Sequence, residues 1–481
     1  IRRPPRSTQG VSSAASDVYK RQIVYKTKLH MQNGSKMSSV LHRSLNSTLP
    51  IIKSVDANYL IDEDGKRYLD ACGGAAVSCL GHDNAKVRAA LKDQIDKLAF
   101  AHSGSFTNEP TEELAKFLIN RAPSGLGAGR VMFLGSGSEA MEAALKLARQ
   151  FHLERKDTKR VNIIARTPSY HGNTLGALAT GGHAGRRAPF QPMLMQVHHI
   201  DATYRYRMKL EDESEDEYAL RMANQLEIKI RDLGPETVMA FVAEPVVGAS
   251  LGSQPAPIGY FKRIRDICNK YGVLYIADEV MCGMGRTGSL FALEQEGIFA
   301  DITTLAKGLG AGYQPIAAVM ASESVVSAIK KGSGTLWNGH TYMSHSVATA
   351  GALAVQKVIE DEGLLENVKM RGDQLALALK KQLDGEENIG DIRGRGLFWT
   401  VELVADTLTK KPFSAHLQVA QRIQIIAKEL GLMCYPAQGC ADGENGDHVL
   451  LAPAYNSTST EIDLIAKITT KAISMALSEV T

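Results

Sequence analysis

Six short stretches of the chain are apolar without alternation: Arg130–Leu134, Val161–Ala165, Thr237–Ala243, Val273–Ala277, Ile302–Leu305 and Ile316–Met320. Unbroken apolar runs of about four to eight residues suit strands buried on both faces, as parallel sheets require. Between them the pattern takes on a helical period. From Glu139 to Phe151, for example, Ala140, Ala143, Ala144, Leu147, Ala148 and Phe151 share one face. Strands and helices alternating in this way predict an α/β fold with a large, doubly wound, mostly parallel sheet. Outside this core the pattern predicts helices over Ala85–Leu98, from about Pro110, over Ser346–Glu360 and over Ser459–Leu477, with a strand over Leu397–Leu403. Two short strands around Asp64-Gly65 read as a hairpin, and Ala71–His82 as a Gly- and Ala-rich loop. Four segments are expected: an extension over 1–36, the first part of a smaller α+β domain over 37–96, a large domain over 97–350, and the rest of the smaller domain over 351–481.

Chemistry collects where the apolar runs stop. Gly135, Tyr170, Glu244, Asp278 and Lys307 each follow or close a predicted strand, and ligands of open α/β sheets bind at the carboxyl ends of strands. A partly desolvated carboxylate and amine, as at Asp278 and Lys307, are what pyridoxal phosphate needs. The lysine forms a Schiff base with the aldehyde, and the carboxylate keeps the pyridine nitrogen protonated. Lys307 follows Thr-Leu-Ala and precedes Gly308-Leu-Gly310, unlike a surface lysine in a polar run. The turn Gly135-Ser-Gly-Ser-Glu-Ala140 leads from a strand into a helix, a geometry that cradles a phosphate. It also fits the dinucleotide pattern G-x-G-x-x-A, but that site expects an acid at a strand end about 20 residues on. Here that region, His152–Asp157, is charged and helical in character. Tyr170, in the loop Ser169–Thr174, either packs in the protein or stacks on a flat ligand.

Composition narrows the setting. No apolar run approaches the ~20 residues of a membrane span. Six scattered cysteines without a C-x-x-C pair point to free thiols and a reducing compartment. Residues 1–36 hold eight Lys and Arg against one acid, more than the whole-chain excess of +3. The remainder is therefore mildly acidic and gives no reason to expect nucleic acid. The first 22 residues resemble translated adapter DNA, which places the expected start at Met31 or Met37; a mitochondrial presequence is the alternative. The acidic run Glu211–Glu217 reads as a solvated loop and helix start.

Seven motifs, GSGSEA, SYHGNT, AEPVVG, ADEV, LAKGLGAGY, GHTYMSH and IRGRGL, occur in an order and spacing that resemble the class III aminotransferases. The likeness spans roughly residues 45–478. It implies a fold type I enzyme that uses pyridoxal 5'-phosphate. By that resemblance Gly137 and Ser138 hold the phosphate, Tyr170 and Val280 cover the two ring faces, and Asp278 pairs with the ring nitrogen. Lys307 carries the aldimine, and Glu244 tunes the surroundings of Asp278. Thr341 reaches the phosphate bound in a neighbouring subunit, so a homodimer with shared active sites is implied. Arg393 receives the substrate carboxylate, with Arg395 as a competitor and a structural role bonding loop carbonyls as the alternative; His171 orients its loop. The implied activity is ping-pong transfer of an amino group from an amine or amino acid to an oxo acid. Other pyridoxal-phosphate chemistry (decarboxylation, aminomutase, racemase) is the alternative, with a nicotinamide-dependent dehydrogenase and a non-catalytic cofactor-binding protein more remote. Met281-Cys282 and Met343 depart from the family pattern on the substrate side. The expected location is the cytoplasm, or the mitochondrial matrix if the N-terminal extension is native, with neither membrane nor nucleic acid as partner.

Overall fold

The computed structural model describes residues 38–480; the expected extension over 1–36 lies outside them. Two compact units are present. The first takes in the described residues up to Ser54 together with Ile61–Lys66. In it Asp62 Oδ1 accepts from the amides of Asp64 (3.1 Å) and Lys66 (2.9 Å), closing the turn signalled by Asp64-Gly65. The second comprises Val55–Leu60 and everything from Arg67 onward.

Strands are numbered along the chain. The first three are β1 (Ile52–Asp56), β2 (Tyr59–Asp62) and β3 (Arg67–Asp70). The main sheet follows with β4 (Arg130–Leu134), β5 (Asn162–Thr167), β6 (His198–Asp201) and β7 (Val238–Ala243). After a two-residue ribbon pair, β8 (Val246–Val247) and β9 (Gln254–Pro255), it resumes with β10 (Leu274–Asp278), β11 (Ile302–Leu305) and β12 (Ala317–Ala321). The seven main strands lie in the order β4-β12-β11-β10-β7-β5-β6. All neighbours are parallel except β12, which runs antiparallel to both β11 and β4.

Side-chain alternation explains why the runs are apolar throughout. In β5, β7 and β10, Ile163, Val242 and Ile276 face the helix Gly137–Glu154, packing with Ala140, Ala144 and Leu147. Their neighbours Ile164, Phe241 and Tyr275 point the other way, onto Tyr218 and Leu226 of the helix Glu215–Leu233 and Phe261 of the helix Tyr260–Tyr271. Both sheet faces are thus covered, as a period of two within a double-sided sheet demands. The helix Glu215–Leu233 starts in the predicted acidic run, where Ser214 and Glu217 form a reciprocal cap.

The C-terminal region adds β13 (Ile389–Gly394), β14 (Trp399–Leu403), β15 (Leu432–Met433), β16 (Tyr435–Gln438) and β17 (Asp447–Leu451). An antiparallel sheet of order β13-β14-β17-β16 forms there, while β15 pairs in parallel with β3. The helices Leu364–Gln382, Val419–Glu429 and Ser459–Ser478 bury Leu375, Ile423 and Ile473 in the same core as Val401 and Val449.

Several expected boundaries move. The strand expected from Leu397 starts at Trp399, and the helix expected from Glu139 to Phe151 spans Gly137–Glu154. β6 was not expected, since His198-His199 gives it no apolar run. All six cysteines are unpaired and buried. No helix among the described residues is long and apolar enough to cross a membrane.

Candidate active site

Parallel pairing brings three strand ends level. Ala243 of β7 lies beside Ala277 of β10, and Asp278 lies beside Thr304 of β11. The residues that follow, Glu244 and Lys307, therefore emerge on either side of Asp278. Asp278 is 4% exposed. Its Oδ1 accepts from the amide of Val280 at 3.0 Å, and its Oδ2 stands 2.8 Å from His171 Nδ1. A carboxylate only accepts, so the imidazole donates at that nitrogen. Glu244 is buried as well: Oε1 accepts from Tyr170 N (3.1 Å) and Oε2 from Gly248 N (2.9 Å). Burial pushes its carboxyl above the usual range, opposed by His171 and reinforced by Asp278. Behind it, the enclosed guanidinium of Arg166 donates to the Glu244 carbonyl.

Lys307 opens a single 3-10 turn after β11 with φ +45°, a left-handed conformation uncommon for a residue with a side chain. The turn is held from behind, where Gln356 Nε2 donates to the carbonyls of Gly308 and Leu309 at 3.0 Å each. Desolvation brings the Lys307 amine down to about 8, against the pull of Asp278 and Glu244.

The other end of the cleft is a helix start. Ser136 caps the helix Gly137–Glu154, accepting from Glu139 N, while the Glu139 carboxylate turns back to accept from Gly135 N at 2.8 Å. First-turn amides of an 18-residue helix point outward with the positive end of its dipole. A Cβ on Gly137 would stand 3.0 Å from Val280 Cγ1, so only glycine leaves this corner open. Ser138 Oγ accepts from Asn173 N at 2.9 Å and ties the Ser169–Thr174 loop to the helix.

The resulting cleft of about 270 Å³ brings together seven of the nine residues that the sequence assigned to cofactor or substrate. Gly137 and Ser138 come from the helix start, Tyr170 from its loop, and Glu244, Asp278, Val280 and Lys307 from the strand ends. Val77, Gln314, Pro315 and Ile316 also line it and were not anticipated; the only sequence signal was their nearness to two Gly-rich stretches. Met281, noted as a departure, is a wall residue too. Thr341 lies exposed, outside the cleft.

Arg393 corrects an expectation. It is buried and absent from the cleft walls. Its Nε donates to Gly252 O (2.8 Å), its Nη1 to Asp391 (3.0 Å) and Glu402 (2.6 Å), and its Nη2 to Leu251 O. Four of its five N–H groups are thereby committed, so it has no bidentate face to offer a substrate carboxylate. The loop-bonding alternative describes it instead. Its competitor Arg395 pairs with Glu296 at 3.1 Å.

Amide donors at one end, a carboxylate backed by an imidazole, an aromatic ring and a lysine of lowered pKa match the phosphate, ring nitrogen, ring and aldehyde of pyridoxal phosphate. Comparison with known proteins agrees. The model of the family "Aminotransferase class-III" matches residues 41–473, and the chain belongs to that family. An aminotransferase of Gibberella zeae is 42% identical over 93% of this chain and 88% of its own. The uncharacterized aminotransferase YodT of Bacillus subtilis is 38% identical over 90% and 97%. The crystal structure of an omega transaminase from Pseudomonas jessenii in complex with PMP superposes with a TM-score of 0.83 at 34% identity, covering 89% of this chain and 93% of that one. The protein is a pyridoxal-phosphate-dependent transaminase of fold type I.

Proposed function

We propose that the enzyme moves an amino group from an amine or amino acid to an oxo acid in two half-reactions at one site. The observation that carries this is the placement of Asp278 and Lys307 at the carboxyl ends of adjacent parallel strands, opening into one cleft. Pyridoxal phosphate, when bound, supplies an electron sink for the charge that develops at the substrate carbon. Gly137 and Ser138 would hold its phosphate, Tyr170 and Val280 would flank its ring, and Asp278 would keep its nitrogen protonated. Lys307 Nζ would attach the cofactor and would serve as the base and acid that moves the proton at the substrate carbon. An amine with a pKa near 8 is suited to both directions of that transfer near neutral pH. Glu244 acts indirectly, by holding the backbone of Tyr170.

The working unit is a homodimer. Thr341 lies in a region where Phe106, Trp337 and Tyr342 are 69%, 58% and 67% exposed. An apolar surface of that kind is what an obligate interface covers, and through it Thr341 would reach the phosphate in the second subunit. The site of action is the cytoplasm.

The test is a panel of amines added to the yellow holoenzyme. A productive donor bleaches the colour and an oxo acid restores it, while Lys307→Ala does neither. Colour cycling in Lys307→Ala would refute the assignment.

A further inference from the structure

With Arg393 committed to the protein, the cleft lacks the cation that a carboxylate-bearing substrate requires. Three other guanidiniums belong to the elements around it. Arg166 is fully enclosed behind Glu244. Arg187 donates to the carbonyls of Leu178, Ala179 and Gly181. That leaves Arg186. Arg186 is not itself a wall of the cleft but stands against one: its guanidinium carbon sits 4.5 Å from the centroid of the Tyr170 ring, which lines it. Arg186 is half-buried, and among the described residues it has neither an acid partner nor a side-chain hydrogen bond. A cation over a ring face uses none of its N–H groups as hydrogen-bond donors, so the fork stays free for a planar anion. The neighbouring Arg187 is pinned as above, and Gly185 on the other side lies close to the β16–β17 turn, where an added Cβ would meet Gly443 O at 3.5 Å. Its charge is also felt at the Lys307 amine, where it opposes protonation.

We propose that Arg186 is the residue that binds the substrate carboxylate, making the carboxylated partner an oxo acid held between this guanidinium and Lys307. The proposal rests on the transaminase reading of the cleft. Bidentate pairing of guanidinium with carboxylate is among the stronger contacts available to such a substrate. Tyr170 then has two tasks, flanking the cofactor ring and supporting the anion-binding cation.

The test compares wild type, Arg186→Gln and Arg186→Lys as holoenzymes. Pyruvate is the carboxylated partner, 1-phenylethylamine the neutral one, and glutarate a non-reacting carboxylate. In Arg186→Gln, kcat/KM should fall at least about tenfold more for pyruvate than for the amine, chiefly through KM, and Arg186→Lys should recover part of the loss. Calorimetric titration with glutarate should give a Kd at least about tenfold weaker in Arg186→Gln. Equal losses with both partners would reduce Arg186 to a prop for Tyr170 and overturn the proposal, as would no loss with either. A wild type bleached by no amine would overturn the transaminase reading instead, and the glutarate titration would still decide Arg186.

Discussion

Replacing Arg393 by glutamine should cost stability and leave substrate recognition largely untouched. The side chain bonds Glu402 at 2.6 Å, Asp391 at 3.0 Å and two loop carbonyls, and Glu402 itself is 0% exposed. Removing one partner of a buried ion pair typically costs about 3–5 kcal/mol, because the other charge is left uncompensated. Arg207 still reaches Glu402 Oε1 at 2.7 Å, which pulls the expectation to the lower end, about 3 kcal/mol. Against a total stability of about 5–15 kcal/mol that is a large fraction. The loss also has a pH signature. Burial pushes the Glu402 carboxyl up, but Arg393 and Arg207 outweigh it and hold the group below its ordinary 4.5. A depressed carboxylate contributes fully above its unfolded pKa and loses that contribution as pH falls through its folded one. The gap between wild type and Arg393→Gln should therefore be complete at neutral pH and shrink below about 4.5. Urea unfolding followed by fluorescence across this range is the assay, run beside KM for an oxo acid. A variant less than about 1 kcal/mol destabilised, with KM raised tenfold or more, would refute the structural role and return Arg393 to the substrate.

Three further outcomes follow from the cleft. In apoenzyme the Lys307 amine is charged below about 8 and neutral above it, so capture of added cofactor should accelerate through that pH and level off; stopped-flow rates inflecting near the ordinary 10.5 would contradict this. His171→Phe removes the imidazole from Asp278 Oδ2, a bond to a charged group worth about 1.5–3 kcal/mol. kcat/KM should then fall by about tenfold or more, and cofactor should dialyse away faster; unchanged retention would count against the pairing. Gly137→Ala sets a methyl 3.0 Å from Val280 Cγ1. Cofactor affinity should fall about tenfold while the unfolding midpoint stays level or rises, since alanine suits a helix better; equilibrium titration of the cofactor reads it.

What the sequence disclosed depended on the range of the interaction. Ile302–Leu305 was visible as a strand because both its faces are buried and the run is apolar without relief. β6 was invisible because His198-His199 on an edge strand carries no such signal. The reversed direction of β12 is not encoded in Ala317–Ala321 itself; it depends on β4 and β11 as neighbours. Asp278 and Lys307 were legible because a charge closing an apolar run is a local pattern. Arg393 misled for the opposite reason: Leu251 and Gly252, which take up its donors, lie more than 140 positions away. Asp391, two positions before it, and Glu402, near it across the β13–β14 pairing, offered the local clues. Arg186 and Arg187 are adjacent and alike in sequence. Which one is pinned and which is free is settled by the fold around Leu178–Gly181 and Tyr170.

The central claim is that Lys307 alone carries the cofactor, at the mouth of two adjacent strands. Borohydride reduction of holoenzyme, followed by peptide mass mapping, tests it directly. The phosphopyridoxyl mass should appear on the peptide containing Lys307 and on no other. The same mass on a different lysine, with Lys307 unmodified, would contradict it.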